Sequence, residues 1–220
     1  MPRWESRATV ILTPTYKRVK ARMAENARAT CPCDTVFTGD VQPFIAEGIA
    51  RDPESRRMFI AGVHARKIVS LTDGRIVDFA QMREDYSPFG IAVDVRRRLL
   101  WASAAVVAQG ATPEVPAKSA VIAFDLRTGA LVKIYPAGGD PKLSIGDITL
   151  APDGTVYVSD PQEGFLFKVA SGAEALTPLG SPAMLASAQG MAVTTASPSW
   201  SPIIRWGSCA PIPRTAPLLR

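Results

Sequence analysis

One histidine, three cysteines and a run of adjacent arginines are the residues of this chain whose types first invite a chemical reading. His64 stands in "GVHARKI", where an imidazole could serve as a general base. No partner for it is evident in the sequence, and a structural histidine fits the same place. Cys31 and Cys33 flank a proline, and Cys209 lies far from both. A Cys-Pro-Cys bridge would close a short, strained loop, and the Cys-x-x-Cys spacing of zinc and redox motifs is absent, so three isolated thiols are expected. Arg96, Arg97 and Arg98 in "VRRRLLW" could attract an anion or form a solvated hairpin turn. Asp153 and Asp160 sit in Gly- and Pro-bearing contexts that mark them as turn residues. No Gly-rich phosphate loop, serine nucleophile elbow or Cys–His constellation is present. The catalytic residues are therefore unknown from these types alone, with His64 the one weak candidate, and no cofactor-binding residue is assigned.

The elements that would position such residues repeat. "EGIARDPESRRMFIAGVHARKIVSL", "FGIAVDVRRRLLWASAAV", "GDITLAPDGTVYVSDPQEGFLFKVA" and "QGMAVTTASP" each open on a glycine followed by alternating apolar residues. The glycines are Gly48, Gly90, Gly146 and Gly190, and the wider middle interval contains the polar loop "VAQGATPEVPAKS". A period of about 40–50 residues with several strands per unit is the signature of a β-propeller. "RRMFIAG", "RRLLWAS" and "GTVYVSD" read as second strands, and "ARKIVSL", "SAVIAFDL" and "GFLFKVA" as third strands. "GRIVDFA", "GALVKIY" and "AEALTPL" read as fourth, the first two opened by the turn signals Asp73-Gly74 and Thr128-Gly129. The expectation is an all-β, incomplete propeller of about three four-stranded blades plus the first strand of a fourth. Three regions follow: a basic, partly helical N-terminal arm over 1–40, the partial propeller over 41–194, and a Pro-rich basic tail over 195–220.

At 47% hydrophobic and 20% charged, the 220 residues have the composition of a globular chain with a buried core. The net charge of +5 could suggest a nucleic-acid partner. The excess of basic residues lies in residues 1–30 and in Arg205, Arg214 and Arg220, however, and the stretch between is mildly acidic. No nucleic-acid partner is expected of the folded part. No apolar run approaches the ~20 residues of a membrane span, and "TVIL" is too short for a secretory leader, so the localisation stays unassigned.

The residues "AEGIARDPESRRMFIAGVHARKI" and "APDGTVYVSD" resemble the senescence-marker-protein/gluconolactonase/luciferin-regenerating-enzyme propellers, within the strictosidine-synthase-like group. The resemblance covers about Phe44 to Val193 and implies a six-bladed parent, so this chain reads as truncated. It also implies a divalent metal such as calcium or zinc in the central channel, held by oxygen donors near the starts of the innermost strands. Glu47 matches the first such ligand in type and position. Phe89, at the corresponding place in the second unit, cannot ligate. Ile145 precedes Gly146, with Asp147 beside it as an oxygen donor, and Gln189 is a neutral donor before Gly190. The implied metal set is Glu47, Asp147 and Gln189, and the implied activity is metal-dependent hydrolysis of a lactone or related ester. A structural role for Glu47 and Asp147 as bonded strand-end carboxylates is the alternative, and with it a non-catalytic propeller that binds a small ligand or a protein. Open blade edges would favour self-association.

After Thr195 the repeat stops. A one-base shift over Ser197 to Pro213 forces a glycine at Trp206-Gly207 and permits the strand, Asp, turn, Gly, strand order of the third unit. The tail is therefore expected to be translated out of frame, with a genuine Pro-rich extension or a divergent last strand as the alternatives.

Overall fold

A computed structural model describes residues 14–26, 43–110, 116–138, 143–179 and 190–193. They fall in two units, Met1–Thr38 and Gly39–Arg220. The first contains helix α1, Pro14–Asn26, which opens on a proline at its first position and carries an Arg22–Glu25 ion pair of 3.0 Å.

The second unit contains three antiparallel four-stranded sheets. Strands β1 (Ala46–Arg51), β2 (Met58–Gly62), β3 (Lys67–Thr72) and β4 (Arg75–Gln81) form the first. Strands β5 (Ser87–Asp94), β6 (Leu99–Ala105), β7 (Ser119–Asp125) and β8 (Leu131–Pro136) form the second, and β9 (Ile148–Leu150), β10 (Val156–Ser159), β11 (Leu166–Val169) and β12 (Thr177–Pro178) the third. Neighbours in each sheet are neighbours in sequence, as in a propeller blade. The β3–β4 hairpin closes on Asp73 and Gly74, both at positive φ, which suits a two-residue turn. Two apolar layers fill the spaces between sheets. One joins Phe59, Ala61 and Ile68 of the first blade to Ile91, Leu100 and Ile122 of the second. The other joins Trp101, Val121 and Tyr135 of the second to Ile148, Val156 and Phe167 of the third. The chain is an incomplete β-propeller of three blades.

The three arginines of "VRRRLLW" do more than form a solvated turn. Arg98 makes a two-pronged bond to the fully buried carboxylate of Asp52, at 2.7 and 3.2 Å, and so ties the second blade to the first. Ser55 and the Glu54 N–H also donate to Asp52. The Arg98 bond is the main reason that the Asp52 carboxyl lies far below the usual carboxylate range, although burial works against it. Arg96 donates to the Pro152 carbonyl at 3.0 Å, and Arg97 to the Gly154 carbonyl at 2.8 Å, both across the next junction. Each guanidinium thus bonds a neighbouring blade, and the anion reading gives way to a structural one.

Of the fourth unit, the described residues are Gly190–Val193, and they form no strand. An inner strand is held by the strand that follows it, and no described residue pairs with this one. Gln189, Cys31, Cys33, Cys209 and the tail after Thr195 lie outside the described residues.

Candidate functional site

The innermost strands β1, β5 and β9 lie side by side, and each carries an irregularity at the same end. In β1 the register steps between Ala46, opposite Gly62, and Ile49, opposite Ile60, so that Glu47 and Gly48 share one partner, Ala61. In β5 the step between Pro88 and Ile91 leaves Phe89 and Gly90 opposite Ser103. In the third blade Ile148 pairs with Val158, while Ser159 accepts from the Gly146 N–H at 2.9 Å and donates its own N–H to the Asp147 carbonyl at 3.1 Å. Gly146 and Asp147 therefore share Ser159. Each pair is a β-bulge, which re-aims side chains at a sheet end.

This register corrects an alignment made on the glycines. Gly146 stands where Glu47 and Phe89 stand, and Asp147 takes the place of Gly48 and Gly90. The three bulges nest closely. A Cβ on Gly48 would lie 2.2 Å from the Phe89 carbonyl oxygen, and one on Gly90 would lie 3.0 Å from the Ile148 backbone nitrogen. Close backbone approach requires glycine at Gly48 and leaves little room for a side chain at Gly90.

Together the bulges line a cleft of about 310 Å³, bordered by Glu47, Phe89, Asp147 and Gly190 and completed by Ser144 and Pro161. Glu47 is exposed and Asp147 half-buried. Among the described residues, two carboxylate side chains belong to the lining and no lysine or arginine does, so the local field favours a cation. Phe89 supplies an apolar wall in place of a ligand. His64 lies elsewhere: it is exposed in the β2–β3 turn, its backbone N–H bonded to the Phe44 carbonyl at 3.1 Å, and it does not border the cleft. Among the described residues, no three His, Cys, Asp or Glu side chains come together.

Sequence reasoning passed over the wall made by Ser144 and Pro161. The buried carboxylate of Asp160 shapes it, accepting from the Ser144 N–H at 3.0 Å and from the Gln162 and Glu163 N–H groups at 2.8 and 3.0 Å. The Asp-Pro step after a strand was the available signal. Asp160 thereby keeps the expected turn role, and so does Asp153, which accepts from the Thr155 N–H at 2.8 Å.

No protein-family model matches the chain, and no curated protein matches it. Among solved structures, hydrazine synthase of Kuenenia stuttgartiensis aligns at 16% identity and a TM-score of 0.45, over 64% of this chain and 38% of that one. The PQQ-bound aldose sugar dehydrogenase of Streptomyces coelicolor aligns at 15% and 0.44, over 64% and 48%. Virginiamycin B lyase of Staphylococcus aureus aligns at 13% and 0.37, over 66% and 59%. The chain thus spans less than two thirds of each of these structures. Likenesses of this size bear on no function, and the propeller assignment rests on the sheets and their register.

Proposed function

We propose that the inner-strand cleft is a lactonase-type centre, in which Glu47 and Asp147 hold a divalent cation and a lactone or related ester is hydrolysed. One observation carries this reading: two carboxylates from different blades border the same cleft. The sequence resemblance to gluconolactonase-type propellers supports it. The donor set is oxygen only, which suits a hard cation that keeps several waters, such as calcium, better than zinc. Gln189 would add a neutral third donor. When bound, such a cation polarises a carbonyl and makes an attached water more acidic.

The chain's own residues have three tasks. The bulges at Glu47 and Asp147 bring both residues to the border of one cleft. The ring of Phe89 offers an apolar surface to the carbon skeleton of a substrate. A cleft carboxylate would also accept the proton of an attacking water, a role for which His64, outside the cleft lining, is not placed. The test is hydrolysis of a panel of γ- and δ-lactones followed by acid release, with calcium and with chelator. Turnover that falls at least tenfold with chelator and in Glu47→Gln is expected. Turnover indifferent to both, or none with metal present, would exclude the proposal. The absence of a donor at Phe89 favours a second reading in that case, a non-catalytic propeller whose cleft binds a small cationic ligand.

A further inference from the structure

We propose that Asp160 is a positioning residue of the cleft: through the Ser144 N–H it fixes the chain that carries Asp147, and so sets the cation affinity of a site it does not itself line. The inference rests on the cation reading above. Its starting point is a difference between the two carboxylates. Glu47 lies inside β1, a strand of six residues with paired residues on either side of its bulge. Asp147 lies ahead of β9, which begins at Ile148 and is three residues long. Within the third sheet, Ser159 holds the Gly146-Asp147 bulge with two backbone bonds of 2.9 and 3.1 Å.

Side chains hold the residues before the bulge. Ser119 of β7 accepts from the Ile145 N–H at 3.3 Å and donates to the Leu143 carbonyl at 2.7 Å. Asp160, next after Ser159 and fully buried, holds Ser144 from the third blade. Its carboxylate divides the work: Oδ1 takes the Gln162 and Glu163 N–H groups, and Oδ2 takes the Ser144 N–H. One side chain that accepts from both the turn and the inner strand's approach needs two acceptor oxygens, which a carboxylate has and an amide lacks. An asparagine at 160 keeps both turn bonds through its oxygen and then presents an NH2 group to the Ser144 N–H. The turn survives and the tether to Asp147 is cut.

The experiment is terbium titration of the full chain, with Asp160→Asn, Asp147→Asn, the double variant and Asp153→Asn alongside. Asp160→Asn is expected to bind terbium roughly fivefold to tenfold more weakly. In the double variant the loss is expected to match that of Asp147→Asn alone, because Asp160 acts through Asp147. Asp153→Asn disturbs a turn of the same blade without touching residues 144–147, and is expected to leave the affinity unchanged. In the ion-free protein, amide exchange at Ser144–Asp147 is expected to be roughly fivefold faster in Asp160→Asn than in the wild type. Equal affinity in Asp160→Asn, or losses that add in the double variant, would overturn the positioning role and leave the cation reading standing. Unchanged exchange at 144–147 would overturn it equally. No saturable ion in the wild type would overturn both.

Discussion

Ile49, Ile91 and Ile148 occupy one register position in three consecutive blades, yet Ile49 is 62% exposed while the other two are 7% exposed. Residue type, strand and pairing are the same. What differs is the neighbour: the first blade covers Ile91 and the second covers Ile148. Burial in a repeat protein therefore belongs to the junction, and stability grows junction by junction. The site follows the opposite rule. Glu47, Phe89 and Gly146 also share one register position, and the chemistry there comes from what does not repeat.

The sharpest way to break the first half of this comparison is truncation at equivalent positions. Ile91→Ala is expected to cost about 2–4 kcal/mol in urea unfolding, as buried isoleucines do. Ile49→Ala is expected to cost under about 0.5 kcal/mol. Equal losses would mean that the face of β1 is covered after all.

The junction rivet comes next. Asp52→Ala removes charge-assisted hydrogen bonds from a buried carboxylate and is expected to cost about 2–3 kcal/mol at neutral pH. Arg98→Ala should be worse, since it leaves that carboxylate buried without its main partner. The native carboxyl titrates below its unfolded value. Its contribution is therefore complete above the unfolded-state value of about 4 and is lost as the pH falls below it. Unfolding of wild type and Asp52→Ala should converge in acid, and a gap that persists would contradict the assignment.

A smaller effect is expected at the nested bulges. Gly48→Ala would drive a methyl group into the Phe89 carbonyl, at a cost of about 1–3 kcal/mol. Gly74→Ala meets open space and has only its positive φ to resist it, about 1 kcal/mol. Reversal of that order would show that β1 and β5 do not pack as closely as described.

Much of the fold was legible because strands announce themselves locally. "RRMFIAG", "SAVIAFDL" and "GRIVDFA" each contain an observed strand to within a residue or two, and Asp73-Gly74 marks its hairpin. Features set by pairing between strands were not legible. The register that sets Asp147, and not Gly146, level with Gly48 and Gly90 depends on which residues share Ser159, and a glycine count cannot reveal it. The Asp52–Arg98 bond joins positions in different repeats with no period to betray it, so the arginine run read as solvent-facing. Glu47 and Asp147 were legible as oxygen donors, and their meeting in one cleft was not.

The most direct measurement is a terbium luminescence and calcium competition titration of the full chain, with Glu47→Gln, Asp147→Asn and His64→Ala alongside. Glu47→Gln alters an exposed side chain and is expected to leave the unfolding midpoint unchanged. One calcium-displaceable ion is expected in the wild type, bound at least tenfold more weakly in each carboxylate variant and unchanged in His64→Ala. No saturable ion in the wild type, or equal affinity in all four proteins, would contradict a cation centre between the bulges.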